Sequence, residues 1–336
     1  MAVHERFDLR GLKAGRTLHT RLSIPPNFYS IAFGLVGLAR VWRLAGSLYG
    51  LSAAIGDALF LVAALVFLLF FAALVIKLVL APKTVLADLA DPAIGPMFSL
   101  LPITGMLLAV GLEPYAFDAA RILFLVCFVA TVLLGGWYAG QWIVASLDAG
   151  RFGPAYFLPT VAGGILGADS AASFGLTGLG WLSFGLGMIA WLMLGPIILN
   201  RLYLGPALPA ALIPTLAIII VPPVIAGNAY FVLTGGRMDM VAYVLAGYTV
   251  LMALVQVRLV PLYLKLTFSP GWWAFTFAYA ATAAYALRWI HLQPFAGAAL
   301  LGYVVLAAIT VFIGALALRS LVALWQGKFL PAPAAL

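Results

Sequence analysis

The chain has 336 residues, 65% of them hydrophobic and only 8% charged, too little polar surface to cover a water-soluble globule, so it reads as an integral membrane protein. A formal net charge of +8 would suggest nucleic acid in a soluble protein. Here the basic residues lie mostly in predicted loops and tails, where they set orientation in a bilayer, and no nucleic-acid partner is expected. The single Cys127 sits in an apolar run and excludes a disulfide framework or a cysteine metal site within the chain.

Residues 1–27 carry Arg6, Arg10, Lys13, Arg16 and Arg21 without the apolar core of a secretory signal, and are expected to form a basic cytoplasmic tail. Proline, glycine and charge then punctuate residues 28–325 into ten predicted spans: 28–47, 55–80, 94–112, 117–142, 155–175, 179–203, 208–233, 239–264, 271–291 and 295–325. Residues 326–336 are expected to be a cytoplasmic C-terminal tail. Runs such as 58–80 and 298–318 suffice to cross ~30 Å of hydrocarbon at ~1.5 Å per residue. The short alternating segments of a barrel are missing.

An even number of crossings places both termini on one side. Lys77, Lys83, Arg151, Arg201, Arg258, Lys265, Arg319 and Lys328 join the five basic residues of the N-terminal tail on that side, and Arg40, Arg43, Arg121, Arg237 and Arg288 fall on the other, a ratio of 13 to 5. The excess of Lys and Arg predicts cytoplasmic termini in an inner membrane.

Odd and even spans differ. Even spans are long and rich in Leu, Val, Ala and Phe, whereas odd spans carry interruptions at Pro102, Pro159 and Pro222-Pro223. Proline removes a backbone hydrogen bond and leaves carbonyls that neighbours or cavity water must satisfy. Ala32, Pro102, Pro159, Pro222 and Phe277 recur about every 60 residues, the length of a helical hairpin with its loops. The predicted fold is therefore an all-α membrane protein of five helical hairpins in a pseudo-fivefold array, odd helices lining a central pore and even helices facing lipid. Ser30, Gly34, Gly105 and Gly163 on odd spans would leave room for a conduit or would serve close helix contact. The aromatic stretch 271–280 opens the ninth span. Trp272 and Trp273 are expected to anchor it at the interface, and the Phe277 ring, about one turn deeper, would plug a pore or fill a closed bundle.

Few ionisable groups lie on the odd spans. Arg40, Arg43 and Arg288 near the outer ends would attract anions or snorkel to headgroups, and Asp169 lies toward the outer end of the fifth span. Arg258, in the eighth span, is expected to pair internally, to snorkel, or to act on the ion. No carboxylate or histidine relay crosses the middle, as a proton-coupled pump would need, and acidic rings of a cation filter are missing. Enzyme signals are weak. Asp88 and Asp91 have Mg²⁺-like spacing but stand alone in a predicted loop, and Ser170 has no suitable partner among His4, His19 and His291. No cofactor, metal site or enzymatic activity is expected.

The segments 152–191, with Pro159, Phe184 and Trp191, 258–261, and 273–277 together closely resemble the tellurite-resistance/dicarboxylate transporter family, which includes the SLAC1-type anion channels, malate permeases and sulfite exporters. The resemblance covers residues 29–328. It implies ten helices, five inner ones around an anion pore, a homotrimer with one pore per protomer, and a gate at Phe277, with inner-helix prolines at Pro102, Pro159 and Pro222. Departures are Ala32 and Ala278 in place of prolines and Ser30 in place of a glycine. The expected function is passive conduction of small inorganic or organic anions; the alternatives are a carrier for C4-dicarboxylate, sulfite or tellurite and, remotely, a membrane-embedded enzyme.

Overall fold

The computed structural model describes residues 24–144 and 152–330, which are predominantly helical and include no strand. The helices are α1 (Tyr29–Tyr49), α2 (Ala53–Leu80), α3 (Pro82–Ala90), α4 (Leu100–Leu112), α5 (Phe117–Val144), α6 (Gly163–Ser173), α7 (Thr177–Leu204), α8 (Val221–Thr234), α9 (Met240–Tyr263), α10 (Ala274–Leu292) and α11 (Ala298–Trp325). Among the described residues, eight helical stretches are long and apolar enough to cross a membrane. Arg6 to Arg21, His4, His19 and Arg151, all used in the sequence reading, lie outside the described residues.

Burial divides the helices into two groups. Helices α2, α5, α7 and α11 are 28 residues long, about 42 Å at ~1.5 Å per residue. Together with α9 they bury only 22–28% of their most apolar windows. The corresponding windows of α1, α4 and α8, with their entry turns, are 61–78% buried, and α6 is buried from Gly163 to Ala171. Contacts among the buried helices run from α1 to α4, α6, α8 and α10 and back to α1. The long helices lie over the seams: α2 on α1 and α4, α5 on α4 and α6, α7 on α6 and α8, α11 on α10 and α1. Stretches ending in α6 and α10 are not among the eight apolar ones because they carry Gly163, Gly164, Asp169, Ser170, Arg288 and His291. Enclosed by other helices, they need no lipid-compatible surface.

Each buried helix is entered through a tight segment: 3₁₀ turns at Pro26–Phe28, Gly95–Ser99, Ala210–Ile220 and Pro270–Trp273, and a π turn at Leu158–Ala162. Proline sits well in such first turns, where its missing N–H would have had no intrahelical partner. Proline alone does not mark the buried helices, as the sequence pattern had suggested, because Pro196 lies inside α7 and Pro261 inside α9. Hydroxyls within the apolar helices bond back to their own backbone. Thr131, Thr249, Thr282 and Thr310 donate to carbonyls four residues earlier at 2.7–2.8 Å, so they leave no donor unsatisfied in hydrocarbon.

One local expectation is corrected. The segment before Pro92 is not a loop but contains α3, started by Pro82 and packed through Val85. Lys77, near the end of α2, has its side chain 9% exposed, and its ammonium donates to Asp88 of α3 at 2.7 Å. At the other end of the chain, Phe329 packs on Phe28 at 5.4 Å between centroids. Both described ends therefore meet at one face of the bundle, as an even number of crossings would arrange.

Candidate functional site

Helix α10 presents Phe277 at the centre of the bundle, 6% exposed. Its ring stacks on Phe33 of α1 with centroids 3.6 Å apart and planes 17° from parallel. Four residues after Phe33, on the same face of α1, Gly37 makes room for the ring: a Cβ there would stand 3.1 Å from the ring and from the Ala280 methyl. A larger side chain at Gly37 would drive α1 and α10 apart. Below, Thr276 donates to the Trp273 carbonyl at 2.7 Å and occupies the space left by Gly34. Trp273 is not an interfacial anchor: it is 2% exposed, and its indole N–H donates to Ser320 of α11 at 2.9 Å. Trp272 remains partly exposed, bonded to the Thr267 carbonyl.

The Phe277 ring lines two cavities. On the side of the tight entry turns lies a largely apolar cavity of about 250 Å³, walled by residues including Ser30, Phe33, Met97, Thr215 and Trp273. On the other side, a cavity of about 50 Å³ is lined by Gly37, Arg40, Asp169, Asn228 and Arg288 among others. Arg40 and the buried Asp169 form an ion pair across α1 and α6. Arg288 Nε donates to Asn228 Oδ1 at 3.1 Å. Asn228 is fixed in turn, because its amide nitrogen donates to the carbonyls of Val224 and Ala281 at 3.1 and 3.2 Å. With both amide hydrogens committed, its oxygen is the atom left for the guanidinium.

Chain-length similarity coincides with this architecture. The family model described as SLAC1, voltage-dependent anion channel, matches residues 23–321, from the entry turn of α1 into α11. The chain belongs to the SLAC1 family. The tellurite resistance protein TehA homolog of Haemophilus influenzae is 28% identical over 307 residues, covering 91% of this chain and 92% of that protein. SLAC1-family membership makes this a membrane transporter or channel whose cargo class is small anions.

Placed on the SLAC1-family chain, the residues anticipated from sequence separate into distinct environments. Ser30 lines the larger cavity, its hydroxyl bonded to the Asn27 carbonyl. Ala32, Pro102, Pro159, Pro222, Gly34, Gly105 and Gly163 line neither cavity. Pro159 lies in the π turn and Pro222 in the first turn of α8, while Gly105 seats Cys127 and Gly163 seats Thr131. Of the three outer arginines, Arg40 and Arg288 face the smaller cavity and Arg43 does not. Arg43 pairs with Asp57, donates to the Gly111 carbonyl at 2.8 Å and lies 4.4 Å over the Phe60 ring. Tyr115, in the loop after α4, completes this cluster by donating to Asp57, which pushes the phenol pKa up. Arg258 is exposed on α9 and makes no ion pair among the described residues.

The enzyme-like residues have local partners or none. Asp88 binds Lys77, Asp91 accepts the N–H groups of Ala93 and Ile94, and the buried Ser170 hydroxyl makes no hydrogen bond among the described residues. Among the described residues no cluster of three metal-ligating side chains occurs. Sequence reasoning missed Phe33 and Asn228. A lone amide in the apolar run of α8 was a usable signal for the second, since polar groups at that depth are costly; nothing distinguished Phe33 from other core phenylalanines.

Proposed function

We propose that this SLAC1-family chain is an anion channel of the inner membrane. In this reading ten helical segments cross the bilayer as five hairpins in a pseudo-fivefold array. Helices α1, α4, α6, α8 and α10 surround the conduction path, and Phe277 occludes it. The observation that carries the reading is the position of one ring between two cavities. The cyclic contacts of the buried helices and the low burial of the long ones support the array, while the 13-to-5 division of Lys and Arg supports cytoplasmic termini. A homotrimer, implied by the family resemblance, would use the apolar outer faces of the long helices.

Passive conduction fits the chemistry because, among the described residues, no titratable relay passes the ring: the ionisable groups Arg40, Asp169 and Arg288 lie on one side of it, and Ser30 and Thr215 line the other. Expulsion of the ring from the axis would join the cavities. The test is chloride or nitrate efflux from proteoliposomes. Phe277→Ala is expected to raise the rate by about tenfold or more, equivalent to removing a barrier of at least ~1.4 kcal/mol. An unchanged rate would make Phe277 a packing residue. A second reading, a carrier for C4-dicarboxylate, sulfite or tellurite, draws on the same pair of cavities separated by one thin barrier, which suits alternating access. Saturable, proton-dependent uptake would favour it.

A further inference from the structure

We infer that the smaller cavity is a binding site for one small, singly charged anion, held by the Arg288 guanidinium beside the Phe277 ring. The inference rests on the channel reading and identifies where its permeant ion pauses. Three arginines lie toward this end of the bundle, and two are already neutralised: Arg40 by Asp169 and Arg43 by Asp57. Arg288 makes no ion pair among the described residues, and Asp169, which lines the same cavity, is committed to Arg40. Among the described residues the only hydrogen bond of Arg288 runs from Nε to the neutral amide oxygen of Asn228. A guanidinium has five N–H donors, so those on Nη1 and Nη2 remain for a ligand in the cavity that Arg288 lines. With two guanidiniums and one carboxylate at the cavity, one positive charge is left partly desolvated and uncompensated, and an anion supplies its partner through short charge-assisted hydrogen bonds.

Charge and size restrict the occupant. Arg40, Asp169 and Arg288 sum to one positive charge at the cavity, which balances one negative charge. The second charge of a dianion would be uncompensated and would face the Asp169 carboxylate. A cavity of about 50 Å³ exceeds the ~10–15 Å³ that a single water needs, so chloride, bromide or nitrate fits, and the charge balance is what disfavours a dicarboxylate. Ala280, Ala281 and Ala284 furnish much of the remaining wall. These methyl groups offer no hydrogen bonds to replace a hydration shell, which favours anions that shed water easily.

The test uses the purified full chain in detergent, titrated with sodium bromide at constant ionic strength and followed by thermal unfolding, since a ligand of the folded state raises Tm with concentration. Bromide is expected to raise the wild-type Tm saturably, and sodium succinate is not. Arg288→Gln is expected to weaken bromide binding about tenfold or more, Arg288→Lys to retain part of it, and Asn228→Asp to abolish it by placing a carboxylate on the guanidinium. Equal bromide stabilisation of wild type, Arg288→Gln and Asn228→Asp would overturn the site. Equal, Arg288-dependent stabilisation by succinate would overturn the assignment to single charge. If Arg288→Gln does not fold, the lysine and aspartate variants decide. Failure of Phe277→Ala to conduct, with Arg288-dependent bromide binding intact, would overturn the channel reading and leave the site standing.

Discussion

Phe277 is flanked by two residues that do different work on the same ring. Gly37 supplies space, and Phe33 supplies a stacking surface at 3.6 Å. An aromatic pair contributes about 0.5–1.5 kcal/mol beyond its buried area, so loss of the Phe33 ring is expected to shift a closed-to-open equilibrium by about two- to tenfold. Phe33→Ala should therefore raise anion efflux, but less than Phe277→Ala, while the double variant should match Phe277→Ala alone. Efflux from Phe33→Ala at or below the wild-type rate would show that the stack does not hold the closed position. Phe277 stood out in the sequence because an aromatic occupies the place where three other odd spans carry proline, and its ring lies between two cavities in the fold. Its neighbours did not stand out: Phe33 and Phe277 are brought together by the return of α10 to α1, a contact that no local pattern encodes.

At the scale of the helix, sequence and structure agree best where composition controls burial. The long outer helices declared themselves by uninterrupted apolar runs, and their ends fall within several residues of the predicted spans. The short helix α3 was missed because its nine residues are too few for a span, and its buried anchor, Val85, is a single side chain. Arg43 illustrates a second limit. Its charge was visible, but its role depends on Asp57 of α2 and on the carbonyls of Val110 and Gly111 at the end of α4. It ties three helices together without facing either cavity. Hydrogen bonds to charged groups contribute about 1.5–3 kcal/mol, and Arg43→Gln is expected to destabilise the bundle by that order in reversible unfolding. The reversal potential of an opened channel should be unchanged, in contrast to Arg288→Gln. A shifted reversal potential with unaltered stability would invert these two assignments.

For the whole molecule, the sequence supplied the membrane class and an expected sidedness, and the structure supplied the contacts that close the ring of buried helices. Mean burial separates helices inside from helices outside, and the cyclic contact from α10 back to α1 accords with the pseudo-fivefold array expected from the recurrence of about 60 residues. The orientation has a direct check in a Cys127→Ser background. Lys328→Cys is expected to react with a membrane-impermeant thiol reagent only after the cytoplasmic side is exposed, and Arg237→Cys in intact spheroplasts; both positions are exposed in the fold. The reverse pattern would turn the protein over in the membrane and put the Arg288 cavity at the inner mouth.

The central claim is that one ring separates two halves of an anion path. Planar-bilayer recording of Phe277→Ala under a chloride gradient tests it most directly. The expected current is about tenfold or more above wild type and reverses near the chloride equilibrium potential. A current no larger than wild type, or one reversing at the cation potential, would contradict it.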